Sequence, residues 1–186
     1  MIEAIVLAAG YASRMKTNKM LLEIGHKPMI LHTVERIAPF VEKIYVVTGH
    51  YHESIQSVFA TNKQVEVIYN SQYSDGMFSS IKTALPLIKH HMLIIPGDMP
   101  FISATTYERI LNQPGMIRVP MYQGKKGHPI YIDSCLKESL IESNLPHLKA
   151  FRDMHKVTYF EVDDAAILKD IDTIEDYQSI ERINQS

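Results

Sequence analysis

Short apolar runs alternate with amphipathic segments along most of the chain. The apolar runs are rich in Ile, Val and Leu and predict strands at residues 2–7, 43–48, 65–69, 92–95, 116–119, 129–133 and 157–162. Apolar positions recur at a helical period in the segments that predict helices, which are residues 28–38, 53–59, 77–88, 104–111, 134–141 and 173–183. This alternation predicts an α/β fold in which helices cover a largely parallel sheet.

The composition is that of an ordinary globular protein. Of the 186 residues, 46% are hydrophobic and 22% are charged, which argues against a disordered or fibrous protein. A chain of this length can build one full hydrophobic core, so we expect a single domain over residues 1–186. The formal net charge of -2, with both signs mixed along the chain, gives no general attraction to nucleic acid or to an anionic membrane.

The sequence also indicates a compartment. No apolar run is long enough to span a bilayer, and the chain opens into a strand pattern rather than a signal peptide, so we expect a cytoplasmic location. Cys135 is the only cysteine, which excludes an internal disulfide and a cysteine-cluster metal site. We expect Cys135 to be a half-buried structural thiol.

The stretch after the first predicted strand favours phosphate binding. Small residues at the end of Leu7-Ala8-Ala9-Gly10 leave the backbone bare, so its N–H groups can approach phosphate oxygens closely. Arg14 and Lys19 follow and supply positive charge of two kinds, a planar fork of donors and a mobile point charge. An ordinary turn with two solvated cations is the alternative. The stretch matches neither the Walker A loop nor the G-x-G-x-x-G fingerprint.

A carboxylate stands at the end of another apolar run. In Pro96-Gly97-Asp98 it follows a buried strand pattern, and the carboxyl ends of strands in open α/β sheets face the ligand crevice. Mg²⁺ is held in proteins by one or two carboxylates together with substrate phosphates, so Asp98 could begin a metal site. A turn-forming role between glycine and proline explains Asp98 equally well.

Two further segments carry polar groups next to predicted strands. Asn70 to Ser80 leads into a helix whose start is rich in small polar residues, which could receive a base or a phosphate; alternatively, Ser74 or Asp75 simply caps that helix. Residues 123–131 predict a tight turn into a strand. Gly127 and His128 lie in it, and a solvated loop tip is the common outcome for such a sequence.

These motifs together resemble one enzyme family. The Leu-Ala-Ala-Gly run with Arg14-Met15, Lys19 and the following leucines resembles the signature of the nucleotidyltransferases that include molybdenum cofactor cytidylyltransferases, their guanylyltransferase cousins, and sugar-phosphate and cytidylyl transferases. Gly76-Met77 followed by Ser80 resembles an element of the molybdenum cofactor cytidylyltransferase branch, and the guanylyltransferase branch usually shows Leu-Ala-Gly-Gly instead. Asp-Met-Pro at residues 98–100, Gly-x-Pro at 127–129 and Asp-Ile-Asp-Thr at 170–173 resemble further family elements.

The resemblance implies a fold, a reaction and a set of site residues. The fold would be a three-layer α/β/α Rossmann-like domain with a mostly parallel mixed sheet, and the reaction would transfer CMP from CTP to the phosphate of a molybdopterin-type cofactor. Arg14, Lys19 and Asp98 would be catalytic, and Asp98 and Asp172 would hold Mg²⁺. The nucleotide and acceptor would be bound by Leu7, Ala8, Ala9, Gly10, Arg14, Lys19, Asn70, Gly76, Ser79, Ser80, Pro96, Gly97, Asp98 and His128. A molybdenum hydroxylase is a possible recipient of the product.

The sequence departs mildly from the family pattern and leaves alternatives open. Ala12, Lys16 and Ile174 stand where a small hydroxyl residue, Gly and Pro are usual, and Asp172 has a second explanation as a helix N-cap. The acceptor could instead be a sugar phosphate or an alcohol phosphate, and the donor could be GTP. A non-catalytic CTP-binding chaperone for a molybdenum hydroxylase is an alternative of a different class.

Overall fold

The computed structural model describes residues 1–10 and 18–171. In this part of the chain the strands are β1 Ile2–Ala8, β2 Glu23–Ile24, β3 Lys27–Pro28, β4 Lys43–Thr48, β5 Val65–Tyr69, β6 His91–Pro96, β7 Ile117–Tyr122, β8 Lys125–Lys126, β9 Ile130–Ile132 and β10 Val157–Glu161. The α-helices are α1 Met29–Ile37, α2 His52–Val58, α3 Met77–Ala84, α4 Ala104–Asn112, α5 Lys137–Glu142 and α6 Leu148–Asp153. None of these helices has the length and apolar character to cross a membrane.

The strands build one large mixed sheet with the order β10-β7-β9-β6-β1-β4-β5, and β8 pairs with β7 at its side. β1 runs parallel to both of its neighbours, with Leu7 opposite Pro96 on β6 and Ala8 opposite Thr48 on β4. Only the pairings of β9 and β8 in this sheet are antiparallel. After β1 the chain forms β4 and β5 on one side of β1, and it then forms β6 on the other side of β1. Such a reversal opens a crevice at the carboxyl ends of β1 and β6.

Helices cover both faces of the sheet, as the family resemblance implied. Successive residues of β1 point to opposite faces because side chains alternate along a strand. Ala4 and Val6 pack in the core under α1, α2 and α4, whereas Ile5 and Leu7 pack in the core under α3, α5 and α6. All of these β1 side chains are at least nine-tenths buried, which explains why the sequence of β1 is almost continuously apolar.

All seven strands predicted from the pattern are present; those at 43–48 and 65–69 have the predicted bounds, and the ends of the others differ by at most three residues. Helix α6 was not predicted, because it has six residues and only Phe151 is buried along it. The helix predicted over residues 173–183 lies outside the described residues. The helix predicted from Ser134 begins instead as a 3-10 turn, Ser134–Leu136, before α5.

The expectation for Cys135 was wrong, because the structure places this thiol at the surface. Asp133 caps the 3-10 turn by accepting the backbone N–H of Cys135 at 3.0 Å, and the same turn buries Leu136 against the core. Cys135 therefore faces outward, with its Sγ 3.5 Å from Met116 Sδ.

Candidate functional site

The site is built where β1 and β6 end side by side. The backbone N–H of Gly97 donates to the Leu7 carbonyl at 2.8 Å, and the Thr33 hydroxyl of α1 donates to the Gly97 carbonyl at 2.8 Å. A side chain at Gly97 would meet Met20 Sδ at 3.1 Å and the Leu7 carbonyl at 3.2 Å, so the close approach of the two strand ends favours glycine. These contacts fix the backbone that carries Asp98.

Lys19 reaches across to Asp98. Asn18 caps a 3-10 turn, Lys19–Leu21, by accepting the Met20 N–H, and this turn holds Lys19 above the ends of the strands. Lys19 Nζ donates to Asp98 Oδ2 at 2.5 Å. The Asp98 side chain is only 10% exposed and that of Lys19 is 17% exposed, so the two charges face each other largely out of water.

The second carboxylate oxygen of Asp98 is in a different situation. Oδ1 is buried and has no hydrogen-bond partner among the described residues. Leaving a buried acceptor unpaired costs about 1–3 kcal/mol, and more when the group is charged. The orphaned oxygen therefore fits a carboxylate that takes a cation as an additional partner.

The segment after β10 closes the other side of the site. Ile171 donates its backbone N–H to the Asp98 carbonyl at 3.2 Å, and its side chain is buried with Ile24 and Met29. Two of the predicted site residues, Arg14 and Asp172, lie outside the described residues.

The polar residues predicted at the start of α3 have two different placements. Asn70 is 2% exposed and donates from Nδ2 to the hydroxyls of Ser79 at 2.8 Å and Ser80 at 3.0 Å. The Ser79 hydroxyl in turn donates to the carbonyls of Gln72 and Gly76. Asn70 and Ser79 thus hold the loop in shape, and Ser80 reaches the cavity. Gly76, with φ +94°, occupies the N-cap position that the alternative interpretation gave to Ser74 or Asp75.

A cavity of about 580 Å³ lies over these groups, a volume within the usual range of small-molecule sites. Most of the predicted residues that the structure describes line it: Leu7, Ala9, Gly10, Lys19, Gly76, Ser80, Pro96, Asp98 and His128. Four lie beside it, namely Ala8, Asn70, Ser79 and Gly97. Ala8 is turned into the core under α1 because side chains alternate along β1.

Other parts of the wall were not among the predicted site residues. Met77, Met99, Gly127 and Asp170 belong to the motifs that carry the family resemblance, whereas no sequence signal pointed to Met20, Tyr73, Lys126, Ile167 and Leu168. Ile167 and Leu168 belong to a 3-10 turn, Ala165–Leu168, that packs on Gly127. A side chain at Gly127 would meet the Ile167 carbonyl at 2.4 Å, and His128 donates its N–H to that carbonyl at 3.0 Å. Only the glycine at 127 signals this long-range contact in the sequence.

His128 is a neutral group at this wall. Burial lowers the pKa of its ring from 6.5 to about 4, against a hydrogen bond to the Ile94 backbone that raises it, and the charge of Arg152 lowers it further. Nδ1 is buried without a hydrogen-bond partner among the described residues. A neutral imidazole has one donor and one acceptor nitrogen, so His128 can offer a ligand a hydrogen bond without carrying a charge near neutral pH.

The arrangement combines groups that suit a metal-bound polyphosphate. The small residues Ala9 and Gly10 and the side chain of Lys19 can bind anionic oxygens, while Asp98 can bind a cation. The cavity holds them together at the carboxyl ends of β1 and β6, where open α/β sheets bind ligands.

Comparisons with known proteins agree with this geometry. Residues 4–159 match the family model described as the MobA-like NTP transferase domain. The Escherichia coli protein named molybdenum cofactor cytidylyltransferase is 29% identical over 180 residues, covering 95% of this chain and 93% of that protein. A bifunctional GlmU protein of Methanococcus maripaludis is 31% identical over 133 residues, but the matched part covers only 31% of its length.

Solved structures share the fold. A nucleotidyl transferase from Methanothermobacter superposes with a TM-score of 0.84 at 21% identity, covering 100% of this chain and 99% of that one. The Mycobacterium tuberculosis protein Rv0371c, solved in complex with manganese, superposes with a TM-score of 0.75 at 23% identity, covering 97% and 98%. Because the family model spans most of the residues that build the sheet and the cavity, the chain belongs to the MobA-like NTP transferase family.

Proposed function

We propose that the protein transfers a cytidylyl group from CTP to the phosphate of a molybdopterin-type cofactor and releases pyrophosphate. The observation that carries the proposal is that Ala9, Gly10, Lys19 and Asp98 line one cavity. The 29% identity with a molybdenum cofactor cytidylyltransferase, which extends over nearly the whole chain, supports the choice of nucleotide and acceptor.

The triphosphate would lie against the end of β1. Ala9 and Gly10 line the cavity there and carry little side chain, so their backbone can approach phosphate oxygens. Lys19 supplies a positive charge on a flexible stem that can follow these oxygens during the reaction. Arg14, outside the described residues, is proposed to add a second cation.

The residues present fit a divalent cation. Asp98 Oδ1 is buried without a partner in the described part of the chain, and a hard cation such as Mg²⁺ prefers such an oxygen. Asp172 is the proposed second ligand; it lies outside the described residues, but its neighbour Ile171 is bonded to the Asp98 backbone. When bound, the metal neutralises charge on the phosphates and helps to align the displacement.

Lys19 reduces the repulsion between the two negatively charged substrates of this reaction. An oxygen of the acceptor phosphate forms a bond to the α-phosphorus of CTP, and the bond from that phosphorus to the bridging oxygen breaks as pyrophosphate leaves. The acceptor is already anionic, so the step needs no general base. Each pair of like charges near 4 Å costs about 4 kcal/mol at an effective dielectric constant of 20, and Lys19 offsets part of this repulsion.

A pyrophosphate-release assay with each of the four nucleoside triphosphates and Mg²⁺, with and without molybdopterin, tests the proposal. We expect release with CTP only when molybdopterin is present. Pyrophosphate release with GTP instead of CTP would show that GTP is the nucleotide donor. CTP binding without release in the presence of any phosphorylated acceptor would favour the chaperone alternative and refute the enzymatic proposal.

A sugar-phosphate acceptor is the second candidate, because the chain also matches bifunctional GlmU proteins at 31% identity over 133 residues. Pyrophosphate release with a hexose 1-phosphate and without molybdopterin would support this candidate over the first.

A further inference from the structure

A second compartment, which we call the side pocket, opens next to the main cavity. It has a volume of about 290 Å³ and is lined on the inner side by α3, β6 and β9. The segment from Pro146 to Arg152, which contains α6, forms the outer side. Residues shared with the main cavity mark the passage between the two: Leu7, Gly76, Met77, Lys126, Gly127 and His128.

The floor of the side pocket is apolar. Ile94 of β6 and Ile130 of β9 are opposite each other in the sheet and form it together with Phe78 and Ile81 of α3. Leu148 of α6 adds to the wall. Side chains of this kind accept the face of a flat ring system and offer it no hydrogen bonds.

The rim of the side pocket is positively charged. Lys126, Lys149 and Arg152 line it, with Asp75 as the acidic residue in the lining. The Lys126 ammonium already uses one of its donors, since Nζ donates to the Tyr159 hydroxyl at 3.0 Å. The excess of positive charge over a small apolar floor indicates a ligand with an anionic group and a flat body.

Among the cations of the side pocket, Arg152 has a buried donor atom, Nε, that lacks a hydrogen-bond partner among the described residues. A buried N–H donor without a partner is costly, whereas a phosphate can pair with a guanidinium through two parallel hydrogen bonds. Its neighbour Phe151 is 2% exposed and anchors α6 in the core, so Arg152 is held at the pocket by packing.

The two compartments differ in the groups that suit a triphosphate. Gly10, Lys19 and Asp98 line the main cavity and are absent from the lining of the side pocket. The nucleotide and its metal therefore fit the main cavity. The side pocket then remains for the other substrate, and the passage at Lys126 and His128 is where the two substrates would meet.

Resting on the proposed function, we infer that the side pocket binds the acceptor as a phosphomonoester of a flat heterocycle, with its phosphate paired to Arg152. The ring system lies on Ile94, Ile130 and Phe78, and the phosphate lies between Arg152 and the passage residues Lys126 and His128. Arg152 is thus an acceptor-binding residue that makes no contact with the nucleotide.

The test compares Arg152→Met with the unchanged protein. Methionine keeps most of the apolar stem and removes the charged fork, so packing is largely retained. Binding of molybdopterin is measured under anaerobic conditions in the presence of Mg²⁺ and a CTP analogue that does not react. Affinity for the CTP analogue alone is measured by calorimetry. Arg109→Met is the matched control, because Arg109 is exposed on α4 in the opposite helical layer.

We expect Arg152→Met to weaken molybdopterin binding about 10- to 100-fold, the range for losing hydrogen bonds to a charged group. Affinity for the CTP analogue should stay within twofold, Arg109→Met should change neither quantity, and Arg152→Lys should restore part of the loss. Unchanged molybdopterin affinity in Arg152→Met, or an equal loss of CTP affinity, would overturn the inference. Because binding is measured without turnover, failure of the catalytic proposal would appear separately, as absent pyrophosphate release by the unchanged protein.

Discussion

Replacement of Asp98 by asparagine should separate activity from stability. The change keeps the size of the side chain and an oxygen that can accept from Lys19, which donates to Asp98 at 2.5 Å. It removes one negative charge from a position where the carboxylate is 10% exposed and one oxygen has no partner among the described residues. Asp98→Asn therefore removes the proposed cation ligand and leaves the surrounding backbone bonds in place.

The two effects differ in magnitude. A unit charge facing a cation at about 4 Å contributes about 4 kcal/mol at an effective dielectric constant of 20, which corresponds to roughly a 10³-fold loss in kcat. Lys19 lies on a flexible stem at the edge of the open cavity and can turn toward water when the charge is lost, so its weakened contact costs only about 1 kcal/mol of folding stability. A neutral amide atom in the place of the orphaned carboxylate oxygen costs less than the charged oxygen did, which offsets a similar amount. We expect the free energy of unfolding to change by less than about 1 kcal/mol.

Pyrophosphate release and urea unfolding measure the two quantities on the same preparation. Asp163→Asn is the control, since Asp163 is exposed and does not line the main cavity. A fall in kcat of less than tenfold would remove Asp98 from the proposed mechanism. A fall in activity that followed a loss of several kcal/mol in stability would show that Asp98 acts through the fold, which contradicts the reasoning above.

Three other predictions concern packing and pH. Gly127→Ala should lower the free energy of unfolding by about 1–3 kcal/mol in urea, because the added carbon meets the Ile167 carbonyl at 2.4 Å. Glu3→Gln should lower it by about 1–3 kcal/mol without changing kcat, since the buried Glu3 carboxylate accepts the N–H groups of Lys89 at 2.6 Å and His90 at 2.9 Å, far from the cavity. Burial lowers the pKa of His128 from 6.5 to about 4, so between these pH values the unfolded chain binds a proton that the folded chain excludes. The free energy of unfolding should therefore fall by up to about 1.4 kcal/mol per pH unit as the pH drops through this window. Urea unfolding at pH 7, 6, 5 and 4 should show a shallower fall for His128→Gln than for the unchanged protein.

The parts of the site that follow strand ends could be predicted from the sequence. Gly10 and Asp98 come directly after apolar runs, and the carboxyl ends of neighbouring parallel strands lie together at one edge of a sheet. The pattern thus located the small residues after β1 and the carboxylate after β6 without knowledge of the strand order. The structure adds that β1 and β6 are adjacent, which is what brings these two residues to the same cavity.

The direction of individual side chains could not be predicted in the same way. Asn70, Ser79 and Ser80 are all polar and near the start of α3, yet Asn70 and Ser79 are used within the loop and Ser80 lines the cavity. This difference depends on hydrogen bonds between loop and helix, which leave no periodic pattern in the sequence. A similar limit applies to Arg152, because α6 is too short to give a hydrophobic period.

The pairing of Lys19 with Asp98 explains how one carboxylate can serve both the fold and a reaction. A buried carboxylate that holds a cation only during turnover needs another positive group whenever that cation has left, because an isolated buried charge is strongly unfavourable. Lys19 can meet this need, since its 3-10 turn is fixed by Asn18 while its long side chain remains adjustable. If a divalent cation were bound with the triphosphate, Asp98 would hold it and Lys19 would be available to the phosphates. The charge balance of the site is then similar before and after binding, which lowers the electrostatic cost of placing a highly charged substrate next to a buried acid.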